Sequence, residues 1–140
     1  MMTDDPVREL GTEESWQELR RASLGRLALC VAGEIDIFPI NFVVDADNVI
    51  YLRTAPGTKL LELSINDHVA LEIDHVSDID AMSVVVKGRA ERVELQSEMD
   101  AAEKLGLAPW VPTLKYRWVR IHPESVSGRA FVRGPEPSRD

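Results

Sequence analysis

Four side chains that suit an anion fall together in the stretch RTAPGTK, residues 53–59: Arg53, Thr54, Thr58 and Lys59. The pattern before it is that of a strand and the pattern after it, TKLLELSIN, is that of a short buried helix. Pro56-Gly57 makes the turn and Thr58 is a natural N-cap. A helix start carries unpaired N–H groups and a partial positive charge, so it attracts anions. Arg53 can fork two phosphate oxygens and Lys59 supplies a point charge. The plainer alternative is a capped helix with two solvated cations, and the stretch has neither the Walker nor the Rossmann glycine pattern.

The other reactive residue types are scattered. His68, His75 and His122 show no ligand spacing with one another or with Cys30, so no metal site is expected. No Gly-x-Ser-x-Gly elbow marks a hydrolase. His75, at a strand end beside a polar loop, is a candidate general acid or an ordinary surface histidine. Lys87 and Arg89 fall on the polar side of an alternating run, where they can meet an anion or simply face water. Cys30 lies in the apolar run LGRLALCV and reads as a buried structural thiol.

With 16 Lys and Arg against 24 Asp and Glu, the net charge is −8, which argues against nucleic acid as the main partner. A small anion needs only local cations and stays open. A single cysteine points to a reducing compartment, and the acidic start MMTDDPVREL is no secretory signal. No apolar run reaches the roughly 20 residues of a membrane span, so a cytoplasmic location with no membrane partner is expected.

The elements that must position these residues are short. The sequence fits one domain over residues 1–140, with 1–10 and 134–140 flexible. A helix begins near Thr12, with Thr12 and Ser15 as possible caps, and Leu24-Gly25 ends it. Strand-like runs follow: RLALCV, IFPINFVV, VIYLRT, HVALEIDH, MSVVVKGRAERVE and YRWVRIH, parted by turns such as AGEID and DADN. Pro39 interrupts the second run, which fits an edge, a bulge or a strand facing a ligand. Gly88 predicts a bend or close backbone approach in the long fifth run. QSEMDAAEKLG is a second helix ending at Gly106. The expected fold is α+β, a mainly antiparallel six-stranded split β-barrel with flanking helices.

The segments LGRLAL, FPINFVVD, IYLRTAPGTKLLEL, HVALEID, SVVVKGRAERV and RWVRIHPESVSGR occur in this order from about Glu18 to Arg129. In that order the sequence resembles the flavin-binding split-barrel superfamily of pyridoxamine 5'-phosphate oxidase-like proteins. The resemblance implies a homodimer with two cofactors at the subunit interface and a small-molecule substrate. It implies that Arg53, Thr54, Thr58 and Lys59 grip the cofactor phosphate. Pro39, Ile40, Asn41 and Phe42 would run beside the isoalloxazine ring, with Asn41 donating to a ring carbonyl, and Lys87 would border the cofactor. Trp118 is expected in an interface or core.

The function so implied is FMN-dependent oxidoreduction, the flavin carrying the hydride while the protein orients and shelters it. SVSGRAF offers Arg129 but not the Arg-x-His arrangement of the true oxidase, so vitamin B6 oxidation does not follow. Two alternatives stand beside it. One is a reductase using the deazaflavin coenzyme of actinobacteria, for whose acidic tail Arg20, Arg21 and Lys59 are available. The other is a non-catalytic flavin carrier or sensor.

Overall fold

A computed structural model describes residues 7–55, 67–107 and 117–135. Seven strands and two helices lie among them: β1 (Val7–Leu10), α1 (Thr12–Arg21), β2 (Leu24–Val31), β3 (Glu34–Val44), β4 (Ile50–Thr54), β5 (Asp67–Val76), β6 (Asp80–Arg92), α2 (Gln96–Glu103) and β7 (Arg117–Val132). All pairings are antiparallel, in the order β1-β7-β4-β3-β2-β5-β6, and β6 also pairs with β7. Six strands, β2 to β7, therefore close into a ring, and β1 adds a seventh along the far half of β7. This is the α+β split-barrel architecture expected, with closure removing the exposed edges that short strands otherwise present.

The ring closes because alternate residues of each strand are apolar. Leu27, Leu29, Phe42, Ile50, Leu52, Leu71, Ile73, Val84, Val86, Val119 and Ile121 all point inward and are at most a few per cent exposed. Trp16 and Leu19, three apart on α1, cover one mouth of this core. A second, smaller cluster sits outside the ring, where Trp118, Val93 and Ala102 pack beneath α2 with Tyr51, Met99 and Leu107 around them. Of the two places expected for Trp118, an interface or a core, the fold gives it the core of this cluster.

Tight turns connect the hairpins. Ala32 and Gly33, both at positive φ, join β2 to β3. In the β3–β4 turn Asp45 Oδ1 accepts the backbone N–H groups of Asp47 and Val49, each at 2.8 Å. Gly88 behaves as expected: a Cβ there would lie 2.3 Å from the His122 carbonyl oxygen. The β6–β7 register slips at Lys87/Gly88, where Gly88 faces Pro123 and Lys87 faces Ser125. Pro123 is absorbed by this bulge, which explains why β7 continues to Val132 instead of stopping near His122.

Other sequence expectations need correction. Residues 7–10 form β1, paired with Gly128–Phe131, so this part of the N-terminus is ordered. Gly11 is the N-cap of α1, with no side-chain cap, and the Ser15 N–H bonds its carbonyl at 2.9 Å. The helix ends at Arg21 because Ala22 turns extended, at ψ 152°. Leu24 and Gly25 already belong to β2. Helix α2 ends at Glu103, and the turn to Gly106 (φ +79°) follows it. Cys30 is exposed, because β2 alternation that sends Leu27 and Leu29 inward sends Cys30 out. The TKLLELSIN segment, Trp110 and Tyr116 lie outside the described residues.

Candidate functional site

Strand β3 carries the centre of the candidate site. Ile40 and Phe42 point into the core, at 8% and 2% exposed, so Pro39 and Asn41, which alternate with them, must face outward. Proline is tolerated here for a reason visible in the pairing. The Phe42 N–H bonds the Ser23 carbonyl on the β2 side, so the N–H direction at position 39 is away from β2. Strand β4 pairs only with Phe42–Val44 and does not reach position 39, so the missing donor breaks no ladder bond. The Asn41 side-chain amide donates to the Ser23 carbonyl at 3.0 Å, which fixes its orientation against the start of β2.

Arg53 lies on the neighbouring strand, one residue past the Phe42↔Leu52 pair and on the same outward face as Asn41. Its guanidinium carbon sits 5.2 Å from the centroid of the Trp118 ring, the partner of Arg53 in the β4–β7 ladder. The Arg53 Nη2 group donates to the Leu107 carbonyl just beyond α2. Stacking and this bond hold the cation in place. Thr54 follows at the strand end, opposite Arg117. Thr58 and Lys59 lie outside the described residues. Lys87 is exposed on β6, opposite Ala70 of β5 and Ser125 of β7, and so stands away from Arg53 across the sheet. The register thus sets Asn41 and Arg53 side by side on one outward face, with Pro39 farther along the same face of β3, Thr54 following Arg53 at the strand end, and Ile40 and Phe42 turned into the core; Lys87 is not among them.

Helix α2 braces the Arg53 side. Trp118 Nε1 donates to Glu103 at 3.2 Å, and Arg120 pairs with both Glu98 and Glu91. Burial opposes the charge on Arg120, but bonds from Glu98, Glu91 and Tyr51 outweigh it and hold the guanidinium above its usual range. His122 Nε2 lies 2.9 Å from Glu91, and this contact, followed by that of Arg120, holds the Glu91 carboxyl below its usual range.

On the opposite side of β3 a cleft of about 600 Å³ opens between the end of α1 and strands β2, β3, β5 and β6. Pro39 forms part of its wall, and Ser23, the residue that Asn41 bonds, forms another part. His75, Arg21 and Arg26 also line it. Arg26 Nη1 donates to Glu72 at 3.0 Å and to Asp74 at 2.9 Å, and Arg21 pairs with Glu18 at 2.9 Å. Sequence reading missed this set. Glu72 and Asp74 were legible as one face of an alternating strand, but only the β2–β5 register, Arg26↔Glu72, sets the arginine between them. Arg20, a candidate cation for an acidic coenzyme tail, instead clamps the β3–β4 turn through the Asp45 carbonyl and Asn48. Among the described residues no group of three or more His, Cys, Asp or Glu side chains could hold a metal ion, and no helix is long and apolar enough to cross a membrane.

The family profile described as pyridoxamine 5'-phosphate oxidase matches residues 11–130. A solved structure from Corynebacterium glutamicum, provisionally named a pyridoxamine 5'-phosphate oxidase, is 45% identical, covers 96% of this chain and 100% of its own, and superposes with a TM-score of 0.86. The FAD-binding protein of Mycobacterium smegmatis is 38% identical over 91% of this chain and 100% of its own, with a TM-score of 0.80. An FAD-binding protein of Mesorhizobium loti is 26% identical over 89% and 97%, with a TM-score of 0.74.

Proposed function

From the premise that this chain belongs to the pyridoxamine 5'-phosphate oxidase family, we propose that it is a flavin-binding oxidoreductase. The flavin ring lies along the outward face of β3 at Pro39 and Asn41, and its phosphate lies toward Arg53, Thr54, Thr58 and Lys59. The observation that carries this reading is the placement of one outward strand face between an open cleft and a stacked arginine. The FAD-binding relatives at 38% and 26% identity support a flavin as the class of cofactor. FMN meets the same demands with the smaller nucleotide, since a ribityl phosphate alone reaches a cation one strand away.

The chemistry supplied by a bound flavin is transfer of a hydride to or from a substrate on the exposed ring face. The residues of this chain bind and orient. Asn41 is aimed by Ser23 and offers an amide dipole at the ring edge. Arg53, held on Trp118, presents positive charge where the phosphate arrives. Pro39 leaves an apolar surface against which a flat ring packs.

The active unit we propose is a homodimer. Ile35 and Ile37 point out of β3 at 73% and 67% exposed, beside Cys30 and Ala28 of β2 in the same ladder. A second copy covering this face would bury side chains that water otherwise meets. The test of the cofactor is titration of purified protein with FMN, FAD and the deazaflavin coenzyme, followed by absorbance and calorimetry. Saturable uptake of FMN or FAD supports the reading. Uptake of the deazaflavin alone replaces it with the second reductase reading, and uptake of none refutes it.

A further inference from the structure

A cation stands directly beside Pro39 in the sheet. The β2–β3 register sets Arg26 opposite Pro39, and the β2–β5 register sets Glu72 on the far side of Arg26. The row across the sheet therefore reads Pro39, Arg26, Glu72, with the guanidinium between the proline and the carboxylate. Two bonds anchor it, to Glu72 at 3.0 Å and to Asp74 at 2.9 Å, and both leave from Nη1. Among the described residues Arg26 Nε and Nη2 make no hydrogen bond. The side chain is 55% exposed and lines the same cleft as Pro39 and Ser23. Ion pairs this exposed add little stability. What two carboxylates on one nitrogen do is fix where the remaining N–H donors stand.

We infer that Arg26 is a ring-contacting residue of the flavin site: its Nε and Nη2 donors meet the carbonyl edge of the ring, and its charge favours the reduced ring. The inference rests on the flavin reading, which sets the ring at Pro39 and Asn41. A flavin ring carries two carbonyl oxygens on one edge, acceptors that suit a fork of N–H donors. A hydride brings two electrons and one proton, so a neutral ring that accepts one becomes an anion unless a second proton follows. A fixed cation at that edge binds the reduced ring more tightly than the oxidised one and raises its potential. Glu72 and Asp74 oppose this from β5, one strand farther from Pro39. Removing the Arg26 charge therefore moves the field at the ring in one direction only, toward negative. Ring and phosphate answer to different arginines, Arg26 on β2 and Arg53 on β4.

The test loads the full chain with FMN, or with FAD where that is the flavin taken up. In the wild type the Arg26 Nε–H resonance, assigned by its loss in Arg26→Lys, should move as the flavin saturates. Two-electron midpoint potentials are then compared. Arg26→Gln should weaken the reduced flavin about tenfold more than the oxidised one, a fall of about 30 mV in potential. Arg26→Lys keeps the charge and should recover most of that fall. Riboflavin should lose affinity for Arg26→Gln as FMN does, because the contact is with the ring and not with the phosphate. An arginine with only a structural role weakens both oxidation states alike and leaves the potential where it was. That result, or an Nε–H unmoved at saturation, overturns the assignment. Where Arg26→Gln takes up no flavin, the wild-type resonance decides alone. A wild type that takes up neither flavin overturns the cofactor reading and this one with it, whereas uptake with an unmoved Nε–H overturns the role of Arg26 alone.

Discussion

Single residues show most directly how this chain was fitted to its ring. Gly88 has no room for a side chain, since a Cβ would meet backbone at 2.3 Å, and backbone cannot rotate away as a side chain can. Gly88→Ala is expected to cost about 1–3 kcal/mol or more, as overpacking does, read as a fall in the urea midpoint at unchanged slope. Glu91 gives a pH signature. Its carboxyl is held below the ordinary 4.5 by His122 and Arg120. A depressed carboxylate contributes stability that is fully present above its unfolded value and is lost as pH falls through the lower folded value. Urea unfolding from about pH 6 down to about pH 3 should therefore show a steeper acid loss in the wild type than in Glu91→Gln. Parallel curves would remove Glu91 from the acid response. Pro39 was legible as an anomaly in the sequence, but its explanation needed the pairing, because only the short reach of β4 shows where the missing N–H would have pointed.

At the scale of elements, periodicity disclosed what a single face decides and missed what two faces share. The alternations of β5 and β6 and the Trp16–Leu19 spacing of α1 were readable, because each buries one side against one core. Strand β1 was hidden, since VREL is mostly exposed and is held by its pairing with β7 rather than by burial. The second half of β7 was hidden by Pro123, which ends most strands but here sits at a bulge. Of the candidate site, the strand with Pro39 and Asn41 and the arginine at the end of the next strand were legible as strand residues, whereas the carboxylate-bound Arg26 required a register that no local pattern contains. Helix α2 is tied to the ring by two polar links, Arg120 to Glu98 and Trp118 to Glu103, and by the small apolar cluster to which it contributes Ala102. Arg120→Met should loosen it by about 1–3 kcal/mol, the range for a charged hydrogen-bonded group. Hydrogen exchange would show faster opening of Gln96–Glu103 with the ring strands little changed. Unchanged protection of α2 would mean that the apolar cluster alone suffices.

For the whole molecule, the ring accounts for the fold, and the outward face of β2 and β3 accounts for the assembly we propose. Ile37→Glu places a charge at the centre of that face and should convert a dimer to a monomer in light scattering with its thermal melt nearly unchanged. A wild-type monomer, or a dimer that survives the change, would exclude this face. The central claim is that one outward strand face seats a flavin whose phosphate is met by Arg53. Its most direct test compares FMN with riboflavin, which lacks the phosphate, on the wild type and on Arg53→Ala by calorimetric titration. The account predicts that the substitution weakens FMN by at least about tenfold, the scale of one charge-assisted hydrogen bond, and leaves riboflavin nearly unaffected. Equal losses for both ligands, or FMN binding that ignores the substitution, would contradict it.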